Sequence, residues 1–203
     1  MVKWPRYGHC KTRLSKDIGK KNALIIQKAM LKHTLSVVKS LSKRKIVDIS
    51  LAITGIGFKS STRWCKNLGI KNFNFQGNGS LGERMKRQII MNFKNLKRGK
   101  NSHIIIVGTD LPNLCHLDFI EAITKLSKND VVLGPSNDGG YWLIALSNKI
   151  ISRNLFLPFI NIKWSEEDVL EKTIKNLSTS NICIDFLKSK VDIDIVSDLD
   201  KRK

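Results

Sequence analysis

Apolar positions recur along this chain with two periods, one near two residues and one near three and a half. The run His103-Ile104-Ile105-Ile106-Val107 is short and β-branched, and it stops at Gly108-Thr109-Asp110-Leu111-Pro112. It reads as a buried strand with a carboxylate just past its carboxyl end. Ile46–Thr54, Asn72–Phe75 and Val131–Leu133 read as further strands, and Ile182–Phe186 opens the tail. Between them, Ala23, Leu24, Ile26, Ala29, Met30, Leu35, Val38 and Leu41 keep helical spacing across Lys20–Leu41, with lysines on the other face, and predict a crossover helix. Shorter helices are expected around Trp64, from the Ser80–Glu83 capping box through Leu96, over His116–Leu126, and from Ser165-Glu166-Glu167-Asp168 through Leu177. Strands alternating with helices give an α/β class and a mostly parallel sheet. Ile150–Ile162, with Phe156 and Phe159, reads as core or as a subunit contact, the second reading leaving a homo-oligomer open. In Val191–Leu199, Asp192 and Asp194 alternate with apolar residues; on an extended strand both would point to one face.

At 203 residues the chain can bury one substantial core, and neither a linker nor an internal repeat divides it, so a single domain over 1–203 is expected. No segment reaches the length of a membrane span and no apolar leader follows the first residues; a cytoplasmic protein is expected. Cys10, Cys65, Cys115 and Cys183 form no CxxC pair, which argues against a zinc site and a disulfide framework. Cys10 stands among basic residues that would favour a thiolate, against the simpler reading of a chance position in a loop. The formal net charge of +19 implies attraction to something anionic or plain self-repulsion. Lysine, isoleucine and asparagine are all abundant, as a compositional bias would make them. The lysines are spread along the chain without aromatic interleaving, so nucleic acid is not the expected partner.

Four stretches could carry chemistry, each with a plainer reading beside it. Asp110 lies where open α/β sheets hold their ligands, beyond a strand's carboxyl end, and suits a hard cation; the alternative is a helix-capping turn. Pro5–Leu14 is a loop in which Lys11 offers a point charge and Arg13 a planar fork to phosphate oxygens, or it is an ordinary basic loop in a basic protein. Gln76–Met85 puts three glycines ahead of a helix, where backbone can approach a ligand, or forms a glycine-rich turn. Asp138-Gly139-Gly140 marks a hairpin that could also present a carboxylate and two amides to the crevice. One of Asp192 and Asp194 could approach Asp110.

Taken in order, KWPRYGHCKTRL (3–14), QGNGSLGERM (76–85), VGTDLPNL (107–114), VLGPSNDGGYWLIAL (132–146), KWSEEDVL (163–170) and VDIDIVSDL (191–199) resemble the glycosyltransferase-like family related to phospholactate guanylyltransferase, within the nucleotide-diphospho-sugar transferase superfamily. The resemblance spans nearly the whole chain. It implies a GT-A type, Rossmann-like α/β fold, a mostly parallel sheet flanked by helices, and a nucleotide held through Mg²⁺ or Mn²⁺. It implies Lys11 and Arg13 on phosphate, Gln76, Gly79, Leu81 and Gly82 on the nucleoside side, Asp110 as the metal carboxylate and Asp194 as its second partner. Asp138, Gly139 and Gly140, with Trp164 nearby, would face the acceptor, Asp138 orienting or deprotonating it. Family members begin with a strand leading into the first loop, and here Met1–Trp4 leaves too little chain for one of typical length, so that strand is expected to be missing. The expected partners are a nucleotide sugar or nucleoside triphosphate and a small-molecule acceptor. The expected activity is metal-dependent glycosyl transfer, with nucleotidyl transfer releasing pyrophosphate as the alternative and a catalytically silent polyanion- or RNA-binding module as a third reading.

Overall fold

The β-branched and aromatic runs become strands and the lysine-studded amphipathic stretches become helices in the computed structural model, which describes residues 1–95 and 102–200. In chain order the elements are β1 (Val2–Lys3), α1 (Leu14–Lys43), β2 (Ser50–Thr54), α2 (Phe58–Asn67), β3 (Asn72–Phe75), α3 (Leu81–Asn95) and β4 (Ile104–Val107). They continue with α4 (His116–Lys125), β5 (Val131–Pro135), β6 (Tyr141–Leu146), α5 (Asn148–Asn154), a single 3-10 turn (Leu157–Phe159), α6 (Val169–Ser178), β7 (Ile184–Phe186) and α7 (Ser197–Asp200). Leu96, the expected end of the third helix, lies outside the described residues. The chain divides into two compact units: Met1–Phe75, Gly108–His116 and Val191 onward form one, and Gln76–Val107 with Leu117–Lys190 form the other. No helix among the described residues is long and apolar enough to cross a membrane.

The first unit holds a three-stranded parallel sheet in the order β1-β2-β3. The strand expected to be missing is therefore present, although only two residues long. Val2 pairs with Ile53 and Lys3 with Thr54, and the Trp4 amide extends the ladder to Thr54 O at 2.9 Å. Val2 is buried with Leu31, Leu35, Leu51, Ile53, Cys65 and Ile70, so the face of α1 predicted to be apolar covers this sheet. Helix α1 is longer than expected and is interrupted at Gly19, whose φ of 80° and ψ of 154° only glycine adopts readily. A second cluster joins Leu14 and Met30 to Ile193. Val191–Leu199, whose alternation suits an extended strand, forms none, and its end from Ser197 is helical. Its backbone bonds elsewhere: the Ile193 amide donates to Asp110 O at 3.1 Å, and the amides of Asp194 and Ile195 donate to Asp198 Oδ2 at 2.9 and 3.0 Å.

The second unit holds a four-stranded sheet in the order β4-β6-β5-β7. This sheet is mixed where a mostly parallel one was expected. The tight β5–β6 connection enforces an antiparallel pair, β4 also runs antiparallel to β6, and only β7 lies parallel to β5. Val131, Val132, Leu133 and Leu143–Leu146 are buried, whereas β4, at the end of the order, is half-buried along its length. Ile150, Ile151 and Phe159 from the apolar stretch join the core, while Phe156 stays exposed beneath the Lys86 ammonium, 5.3 Å above its ring. The acids of Ser165–Asp168 precede α6 instead of forming its first turn. Ser165 has φ 78°, and Glu166 and Asp168 both pair with Lys172, at 3.1 and 2.6 Å.

Candidate active site

In the first unit, three segments far apart in sequence meet at one ammonium group. Lys11 Nζ lies 3.2 Å from Asp110 Oδ1 and 3.1 Å from Asp194 Oδ1, and its side chain is 3% exposed against 42% and 49% for the two carboxylates. Arg13, an exposed side chain, reaches Asp194 Oδ2 at 3.9 Å. Each segment is anchored by an apolar neighbour. Leu14 is fully buried after the Lys11 loop, Leu111 and Leu114 are buried after Asp110, and Ile193 is buried before Asp194. The Lys11 loop turns at Gly8 (φ 73°) and at Lys11 itself (φ 48°), and the Ser15 amide donates to Lys11 O at 2.8 Å. Behind the carboxylates, His33 Nε2 bonds Leu114 O at 2.7 Å, and the buried Gln27 amide donates to Asp110 Oδ1 at 3.4 Å.

Formal charges in this cluster cancel, with Lys11 and Arg13 against Asp110 and Asp194. The two half-exposed carboxylates are hard oxygen donors of the kind magnesium takes. Among the described residues no group of three His, Cys, Asp or Glu side chains is placed to hold a metal unaided. The donor set therefore fits a divalent cation whose shell is completed by phosphate oxygens and water, the usual pattern for a phosphate-bound magnesium. Cys10 is buried beside this loop, its thiol donating to Arg6 O at 3.4 Å, and burial raises its pKa against the opposing pull of Lys3, the backbone and Lys11. Burial and the raised pKa both work against a thiolate at Cys10, in line with the plainer reading of that position.

In the second unit the two glycine-bearing loops are held from behind. Gln76 is buried, its side-chain carbonyl accepting from Arg84 Nη1 at 2.9 Å and its backbone carbonyl from Arg87, whose other nitrogen donates to Asn78 O at 3.1 Å. The predicted capping box forms: Ser80 N donates to Glu83 Oε2 at 2.7 Å, and Glu83 N to Ser80 Oγ at 3.3 Å. The Ser80 amide is the main reason the Glu83 carboxyl sits below its ordinary pKa. Gly79 has φ 106°, Leu81 is exposed at the helix start, and Gly82 lies flat against Trp164, where a Cβ would come within 2.6 Å of the indole. Trp164 in turn packs edge-on against Tyr141, centroids 6.3 Å apart.

The Asp138 carboxylate holds its own turn, Oδ1 accepting from the Ser136 hydroxyl and from the Gly140 amide at 3.1 Å. The Gly139 amide is also engaged, with Ser136 O at 3.3 Å. Gly139 has φ 82°, a Cβ on it would overlap the Glu167 carbonyl, and its own carbonyl accepts from Leu170 N at 2.8 Å. The turn is thus clamped to the start of α6. Arg84, Arg87, Gln27 and Asp198 were not singled out from sequence. The i, i+3 arginine pair behind the glycines, and an aspartate four residues after Asp194, were the available signals.

These elements define an α/β protein that resembles the nucleotide-diphospho-sugar transferase superfamily. The chain belongs to the family described as "Uncharacterized protein conserved in bacteria (DUF2064)", whose profile matches residues 37–166. That span includes Gln76–Gly82, Asp110, Asp138–Gly140 and Trp164, and leaves Lys11, Arg13 and Asp194 outside. The structure is similar to that of a "putative nucleotide-diphospho-sugar transferase" from Desulfovibrio desulfuricans G20, with TM-score 0.86 and 26% identity over 98% of this chain and 81% of that one. It shares its fold, at TM-score 0.57 and 14% identity over 85% and 86% of the two chains, with a 4-diphosphocytidyl-2C-methyl-D-erythritol synthase from Anaerococcus prevotii DSM 20548. No curated protein matches the sequence.

Proposed function

We propose that the protein is a metal-dependent transferase acting on a nucleotide-activated donor, with glycosyl transfer from a nucleotide sugar as its reaction. The observation that carries this reading is the buried Lys11 ammonium shared between Asp110 and Asp194, with Arg13 beside them, in a fold similar to a protein named for nucleotide-diphospho-sugar transfer. In the proposal Asp110 and Asp194 hold Mg²⁺ or Mn²⁺. When bound, the cation supplies charge stabilisation to the phosphates of the leaving nucleotide. Lys11 and Arg13 bind those phosphates from the protein side, the ammonium as a point charge and the guanidinium as a fork. Gln76, Gly79, Leu81 and Gly82 receive the nucleoside, their loop pre-shaped by Arg84 and Arg87. The Asp138-Gly139-Gly140 turn receives the acceptor, Asp138 orienting its hydroxyl.

A thermal-shift screen of nucleoside diphosphates, triphosphates and nucleotide sugars, with and without Mg²⁺, tests this. A ligand at about 100 times its Kd stabilises the native state by about 2.7 kcal/mol. Stabilisation by a nucleotide sugar that needs Mg²⁺, followed by release of nucleoside diphosphate when acceptors are added, is the expected outcome. Pyrophosphate release from a triphosphate would assign nucleotidyl transfer instead. Binding of RNA or polyphosphate without any nucleotide response would leave the polyanion module.

A further inference from the structure

We propose that Lys11 is a tethered counter-ion that occupies the Asp110–Asp194 pair until phosphate draws it away, so that binding of a divalent cation and binding of phosphate are coupled through this one side chain. The inference rests on the reading that these carboxylates receive the cation, and adds what competes with it. Lys11 Nζ contacts one oxygen of each carboxylate, at 3.2 and 3.1 Å, from a nearly fully buried side chain. An ammonium and a divalent cation cannot share that position, because like charges a few ångströms apart repel strongly outside bulk water. Metal alone must therefore displace Lys11 from both carboxylates, at the cost of its two ion pairs.

The displacement involves the side chain only. The Lys11 backbone is fixed by its φ of 48° and by the Ser15 amide on its carbonyl, and the buried Gln27 amide on Asp110 Oδ1 holds that carboxylate in place whichever cation it faces. Arg13 cannot substitute as the counter-ion, since it is 71% exposed and touches only the far oxygen of Asp194, at 3.9 Å. A phosphate chain gives the displaced ammonium a new anionic partner and supplies the oxygens that two carboxylates lack for a magnesium shell. Each ligand then raises the affinity of the other by the same factor, as linkage requires.

The test is a Mn²⁺ titration followed by electron paramagnetic resonance on the wild type and on Lys11→Met, with and without inorganic pyrophosphate. Methionine is also an L residue and brings no new backbone strain at this φ. Lys11→Met is expected to bind Mn²⁺ alone about tenfold more tightly than the wild type, a size usual for coupled sites. The gain should vanish in Lys11→Met with Asp110→Asn. Pyrophosphate should raise Mn²⁺ affinity in the wild type and much less in Lys11→Met. If Lys11→Met binds Mn²⁺ no better than a wild type that binds it through Asp110, the counter-ion role is wrong while the metal reading stands. If neither protein binds Mn²⁺ even with pyrophosphate, both fall. On the unsubstituted protein, acetic anhydride labelling of Lys11 read by mass spectrometry should rise on addition of saturating Mg²⁺. Unchanged labelling in a protein that binds the metal would overturn the proposal without relying on any variant.

Discussion

The Lys11–Asp110–Asp194 cluster and the Asp138–Gly140 turn carry their chemistry in opposite ways. In the first, side-chain charge from three distant segments meets on one ammonium, and the backbone beneath serves only to deliver it. In the second, backbone shape dominates: Gly139 adopts φ 82° against the Glu167 carbonyl, and the Asp138 carboxylate commits one oxygen, Oδ1, to the turn. A charge-built region should fail in binding when it is altered, and a shape-built region should fail in folding.

The sharpest break of that comparison is Asp110→Asn, which keeps the volume and removes the charge. It should abolish Mg²⁺-dependent nucleotide stabilisation while lowering unfolding free energy by only about 1–2 kcal/mol, because the lost carboxylate is 42% exposed and Asp194 still faces the buried Lys11 ammonium. Chemical denaturation alongside the ligand screen measures both. Gly139→Ala should show the reverse, a loss of about 2–3 kcal/mol read in the same denaturation, since an L residue at positive φ is strained and its methyl must push the α6 start away. A Gly139→Ala protein as stable as the wild type would mean the clamp yields freely. The smallest effect belongs to the α3 cap. The Glu83 carboxyl is held below its ordinary pKa by the Ser80 amide, so its contribution is present above the unfolded value of about 4.3 and is lost as pH falls through the folded one. Glu83→Gln should flatten that acid limb of the stability curve by lowering stability slightly at neutral pH, where the carboxylate is charged, and leaving acid pH nearly unchanged.

Much of this was legible in sequence because local rules acted alone. The capping box at Ser80 and Glu83, the hairpin at Asp138-Gly139 and the strand before Asp110 each rest on neighbours within a few residues. Reading failed where a distant partner decided the outcome. Val2–Lys3 is too short to announce itself and becomes a strand only because β2 offers it a ladder. Val191–Val196 alternates as a strand should, yet bonds to Asp110 and Asp198 in place of a sheet neighbour. Asp194 still approaches Lys11, delivered by a loop and not by the alternation that first drew attention to it. Gln27, one polar residue on an apolar helix face, gives no sign in sequence that Asp110 stands opposite.

The contact between Gly139 and Glu167 also divides the chain by how freely it can drift. Residue 139 is closed to every side chain, since even a methyl overlaps its neighbour's carbonyl. Residue 167 enters the same contact through its main chain and points its carboxylate at solvent, so mutation can rewrite it at little risk. Selection on the clamp therefore registers at one of its two partners. A comparison of descendants would find the constraint at the glycine and variation at the residue that enforces it.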